Sequence, residues 1–189
     1  MRKKSMLLLA LAPLAAGCIL TSGQITINFE LEPNPITVTN LVPVIPVDVN
    51  LNDIGDYNDH KDKLKDIADV ALLGEIVNNG ANAIQVEVWV SRDPGDLGAL
   101  PSADTVRNSP LATLLWGPFE LAGAATTRID WDASADLIHD AGLQVVLDEV
   151  RGDTSDGDFV VYVLGPAGGG TFTFSVHDGF IVVTLDAGV

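Results

Sequence analysis

Alternation with a period of two runs through most of this chain. Ile25, Ile27, Phe29 and Leu31 alternate with Thr26, Asn28, Glu30 and Glu32, which predicts a strand with one buried and one wet face. Val47, Val49 and Leu51 alternate with Asp48, Asn50 and Asn52 and predict another. Pro33, Pro35, Pro43 and Pro46 bracket residues 36–42. Proline cannot donate to a ladder, so this piece reads as an edge strand or an extended loop. Residues 70–78 and 84–92 flank Asn79-Gly80-Ala81-Asn82 and read as a hairpin. In its second arm Ile84, Val86, Val88 and Val90 share one face, with Trp89, Gln85 and Glu87 on the other. Residues 111–121 and 124–130 predict further strands, interrupted at Gly117-Pro118. Residues 159–164, 171–177 and 180–186 predict the last three, with Asp178-Gly179 as a hairpin turn between the final two.

Helical spacing is confined to a few places. Residues 132–150 form the main stretch, with Asp132 or Ser134 as cap, Leu137, Ile138, Ala141 and Val145 on one side, and Gly142 as a break. Residues 59–66 are charged and lack β-branched side chains, which suggests a short exposed helix. Residues 93–110, with three prolines and two glycines, read as a long loop. No repeat is visible, which argues against a solenoid or propeller. The expected fold is all-β: an antiparallel β-sandwich, Ig-like or transthyretin-like in general architecture, with one helix near 132–150.

Composition supports one domain with a real core. The chain has 189 residues, 47% hydrophobic and 19% charged, enough to bury about two-thirds of its unfolded surface without a disulfide or metal staple. Its 26 acids against ten bases give a net charge of −16, which argues strongly against nucleic acid as a partner.

The first residues carry an address. Arg2, Lys3 and Lys4 form a positive segment, an apolar run follows, and small residues lead to Cys18. That is the layout of a secretory signal peptide, and the run is shorter than the roughly 20 residues of a membrane span. Leu14-Ala15-Ala16-Gly17-Cys18 resembles the lipobox of bacterial lipoproteins, although the large aliphatic residue sits at Leu14, one place further back than usual. The resemblance covers residues 1–18. It implies cleavage between Gly17 and Cys18 and a diacylglycerol thioether on Cys18, usually with an N-acyl chain (the palmitate class of modification). It also implies the outer membrane, because Ile19 stands where an Asp signals inner-membrane retention. Cys18 is the single cysteine of the chain, and an unmodified exported thiol is otherwise a liability. The expected organisation is a signal peptide over 1–17, a membrane-proximal tether over 18–23 and a β-sandwich domain over 24–189. Cleavage removes three bases and no acid, so an anionic bilayer repels the domain and the lipid alone holds it.

Candidate chemistry beyond Cys18 is sparse. Asp153, Asp156 and Asp158 crowd one short loop and offer oxygen ligands to a hard cation such as calcium, or equally a solvated turn. Asp48, Asn50, Asn52 and Asp59 match EF-hand positions, but Asp53 stands where the loop needs glycine, and strand alternation turns the first three outward without a metal. Asp53, Asp56 and Asp59 offer a looser alternative. Asp130 and Asp132 flank Trp131, a carboxylate pair beside an aromatic platform as a glycoside hydrolase needs, or a helix N-cap. His60, His139 and His177 have no metal-ligand spacing, and no nucleophile elbow is present. Trp89 and Tyr162 are the aromatics expected to face outward, and Trp89 is a candidate to stack on a sugar or anchor a partner. These readings favour a non-enzymatic envelope lipoprotein with an unknown envelope protein or glycan as partner and no cofactor. A calcium-dependent adhesion or carbohydrate-binding module is the first alternative, and an envelope hydrolase the second.

Overall fold

The computed structural model describes residues 22–61, 64–93, 95, 97–98, 101–151, 157–168 and 170–188. Two antiparallel sheets pack face to face. The strands are β1 (Ser22–Glu30), β2 (Ile36–Thr39), β3 (Val44–Asn50), β4 (Leu64–Asn78), β5 (Ile84–Ser91), β6 (Ala112–Leu121), β7 (Thr126–Ile129), β8 (Asp158–Leu164) and β9 (Thr173–Gly188). One sheet runs β1-β9-β4-β7, with β2 also paired to β9, and the other runs β3-β8-β5-β6. The all-β antiparallel sandwich expected from the alternation is the observed architecture.

The inward positions fill one core. Ile27 and Phe29 of β1, Val70, Leu72 and Ile76 of β4 and Ile181, Val183 and Leu185 of β9 meet Val47 and Val49 of β3, Val86, Val88 and Val90 of β5 and Phe159, Val161 and Val163 of β8. Phe29 and Phe159 interlock edge to face across the two sheets, with ring centroids 6.1 Å apart. A smaller cluster lies on the outer face of the second sheet. There Val160, Tyr162 and Leu164 of β8 are covered by Ala103 and Val106 of a short helix, α2 (Ala103–Asn108).

Four features depart from the sequence expectation, each for a local reason. Residues 70–78 and 84–92 do not form a hairpin: β4 and β5 belong to different sheets, and 79–83 cross between them. Asn78 holds this crossing. Its side chain is buried, its Nδ2 donates to the carbonyls of Asn82 and Ala122 at 2.8 and 2.9 Å, and its Oδ1 accepts from the Gly80 amide at 2.9 Å. Asp178-Gly179 is not a turn either, because β9 runs straight through it. The pairing of β4 with β9 shifts register between Leu73 and Glu75, and both Gly74 (φ 151°) and Asp178 (φ 47°) take left-handed backbone there. The positive φ that suggests a hairpin turn serves a bulge. Asn34 steadies it, donating from Nδ2 to Asp178 Oδ1 at 2.8 Å and accepting the Asp178 amide at 3.0 Å.

The predicted helix over 132–150 is two helices, α3 (Trp131–Ala135) and α4 (Asp140–Arg151). The chain between them adds to the edge of β6: Gly117 donates to the Leu137 carbonyl and His139 to the Leu115 carbonyl, both at 2.9 Å. Satisfying that edge interrupts the helix, and Gly142, the expected break, lies inside α4. The fourth departure is in the lesser elements. A 3₁₀ turn (Leu51–Asp53) and helix α1 (Gly55–His60) come earlier than the helix expected over 59–66, and β4 has begun by Leu64. The long loop over 93–110 contains α2, whose N-cap Ser102 accepts the Thr105 amide at 3.0 Å.

Val146 and Val150 of α4 join the main core, and the helix packs against β6, β4 and β5. Gly142 makes the contact with β6 close: a Cβ there stands 2.4 Å from the Leu114 carbonyl oxygen and 2.5 Å from the Leu115 Cα. An ordinary helix gains about 1 kcal/mol from Gly→Ala. Here the obstacle is strand backbone, so overpacking wins, and Gly142→Ala is expected to lower stability by about 1–3 kcal/mol in urea denaturation. A stabilised Gly142→Ala variant contradicts this packing.

Candidate functional site

The sequence-predicted site residues scatter. Cys18 and Gly17 lie outside the described residues, as do Asp153 and Asp156. Asp158 is half-buried at the first position of β8, opposite Asn50 in the β3–β8 register. Asp48 and Asn50 point outward from β3, as alternation requires. Asn50 caps the 3₁₀ turn, its Oδ1 accepting the Asn52 amide at 2.8 Å. Among the described residues no three His, Cys, Asp or Glu side chains gather closely enough to hold a metal.

Beside that turn, Tyr57 of α1 is buried. Burial, and secondarily the Glu149 carboxylate of α4, push its hydroxyl above the ordinary phenol value of 10.0.

Trp89 faces outward from β5 but lies half-buried beside α2. Its indole N–H donates to Glu87 Oε2 at 2.9 Å, and the same oxygen accepts from Arg107 Nε of α2 at 2.9 Å. Arg107 Nη2 donates in turn to the Gly165 carbonyl at 2.6 Å. Trp89 therefore sits in a polar network that fastens α2 to the sheet. Tyr162, the other expected outward aromatic, is buried in the same cluster. Arg107 also lines a cavity of about 410 Å³, with Asn40, Ser102 and Phe172.

Asp130 and Asp132 have structural roles at the start of α3. Asp130 Oδ1 accepts the Ala133 amide at 3.0 Å as N-cap, and Asp132 lies in the first turn, where negative charge suits the helix end. Trp131 between them donates its indole N–H to Asp69 Oδ2 at 3.1 Å, which fixes its ring.

Trp131 borders a cleft of about 490 Å³ whose other walls sequence reasoning missed. The floor includes Leu73 of β4 and Phe180 of β9, partners in the register on the outward side of the first sheet and both half-buried. The rim includes Glu75 of β4 and Arg128 of β7, directly opposite each other in the β4–β7 pairing. Both are exposed, and neither joins an ion pair among the described residues. Asp178, at the bulge, completes the rim. Gly74 and Asp178 of the bulge both belong to the lining. At Gly74 any side chain meets the backbone of residues 177–179 at 3.1 Å, and the local φ disfavours one as well.

No protein-family profile matches the chain, and no curated protein matches it. Among solved structures, infectious bursal disease virus of the Gt strain matches over 87% of this chain and 31% of its own, at 11% identity and a TM-score of 0.28. The Gx strain matches at 10% identity and a TM-score of 0.28, over 86% and 31%. This chain thus spans under a third of those viral chains. Desmodium yellow mottle tymovirus matches over 88% of each chain, at 9% identity and a TM-score of 0.25.

The raised pKa of Tyr57 sets an alkaline limit. Because the folded value exceeds the unfolded one, the stability tied to the neutral phenol is intact below about pH 10 and lost as pH rises through the folded value. The urea midpoint of the wild type is expected to fall more steeply above pH 10 than that of Tyr57→Phe. Parallel pH profiles for the two proteins contradict the assignment.

Proposed function

We propose that this chain is a lipid-anchored protein of the bacterial cell envelope whose β-sandwich has a structural or partner-binding role and no catalytic one. The observation that carries the reading is the ordered run of Arg2-Lys3-Lys4, an apolar segment and Ala15-Ala16-Gly17 ending on the single cysteine, Cys18. β1 begins at Ser22, and the four steps from Cys18 span at most about 14 Å. That short reach supports a domain lying against the bilayer, where acyl chains at about 0.8 kcal/mol per buried methylene anchor it. The outer membrane is the destination that Ile19 favours. The N-capping role of Asp130 supports the non-enzymatic reading, because it supplies a structural reason for that carboxylate beside Trp131.

Metabolic labelling with a palmitate analogue, followed by membrane fractionation and protease shaving of intact cells, tests the proposal. The wild type is expected to carry label and to sediment with membranes, and Cys18→Ser to lose both properties. An unlabelled wild type, or a Cys18→Ser variant that stays in the membrane, overturns it. Shaving then assigns the side of the membrane: digestion in intact cells means the domain faces the medium.

A further inference from the structure

We propose that the cleft between Trp131, Phe180, Glu75 and Arg128 binds a neutral saccharide of one or two rings. The proposal is independent of whether Cys18 carries lipid. A pyranose has an apolar face of C–H groups and a rim of hydroxyls that each donate and accept. The cleft offers the matching surfaces. Leu73 and Phe180 form an apolar floor on a sheet face whose neighbouring rim positions, Glu75 and Arg128, are charged and exposed. Trp131 stands at its border with its ring fixed through Asp69, and a held aromatic ring loses little entropy when a ligand stacks on it.

The hydrogen-bonding groups left free at the rim suit a hydroxylic ligand. Asp178 and Asp130 are each engaged internally, with Asn34 and with the α3 backbone. That leaves Glu75, an acceptor only, opposite Arg128, a donor only. Side by side and unpaired with each other, they take the two roles that a hydroxyl, or a vicinal pair of them, fills simultaneously. A simple cation or anion satisfies one and repels the other. The cleft volume of about 490 Å³ falls within the range of small-ligand sites, roughly 300–1,000 Å³. Its walls come from three paired strands and a helix start, with both residues of the Gly74–Asp178 bulge in the lining.

Saturation-transfer NMR on the purified full chain in a sugar-free detergent tests this. The probes are mono- and disaccharides of glucose, galactose, mannose and their N-acetylamino forms, at millimolar concentration. At least one is expected to receive transfer through its ring C–H protons. Binding is expected to weaken about ten-fold or more in Arg128→Ala and in Glu75→Gln, and to vanish in Trp131→Ala. Trp89→Phe, across the molecule, is expected to bind as the wild type does. Should Trp131→Ala not fold, the two exposed rim variants decide. No transfer to any probe, transfer undiminished in the rim variants, or binding of a lysine-rich peptide in place of every sugar overturns the proposal.

Discussion

The central constraint is the unbroken course of β9. Over residues 173–188 it pairs with β1 and β2 along one edge and β4 along the other. Three segments, β1, β2 and β4, are therefore held in register by one strand. Phe174, Val176, Ile181, Val183 and Leu185 place its inward side in the main core. The inward alternation changes phase between Val176 and Ile181, and the Asp178 bulge absorbs that change. Without it, one half of the strand would present its apolar side chains to water. The left-handed Asp178 and the small Gly74 opposite it are thus needed for the core, and both also line the cleft on the outer face.

The outer faces of the two sheets have different fates. The second sheet carries Val160, Tyr162 and Leu164 outward, an apolar stripe that α2 covers and Arg107 fastens through Glu87. This ion pair is largely shielded, with 14% of each side chain exposed. A shielded pair gives specific placement more dependably than it gives net stability, and here it sets where α2 lies. The corresponding apolar patch on the first sheet, Leu73 with Phe180, has Trp131 at its border and a charged rim. Its partial exposure is the basis for assigning it a ligand.

Alternation in the sequence predicts the fold class and several of the strands. β1, β3, β5 and β8 fall where Ile27-Phe29, Val47-Val49, Val86-Val88-Val90 and residues 159–164 put them, because a half-buried strand must alternate. Pairing partners were not legible. Asn79-Gly80 and Asp178-Gly179 both carry turn chemistry, yet one crosses between sheets and the other bulges within a strand. Local preference for positive φ fixes backbone shape and leaves open which distant strand comes alongside. The same limit hid the cleft. Glu75 and Arg128 lie far apart in sequence, and only the β4–β7 register sets them opposite each other. Trp131 was visible as an aromatic between two acids, but its neighbours Phe180 and Leu73 were not. Alternation predicts Trp89 and Tyr162 as the outward aromatics, and α2, signalled only by the cap at Ser102, determines their burial.

The course of β9 is open to direct measurement. Interstrand backbone NOEs on the isotopically labelled full chain distinguish a continuous strand from a hairpin. The structure predicts contacts from Ile181 to Leu72 of β4 and to Phe29 of β1, with none between Ile181 and Val176. Strong backbone contacts between Val176 and Ile181, as a turn at Asp178-Gly179 requires, would contradict the register, the bulge and the cleft built on them.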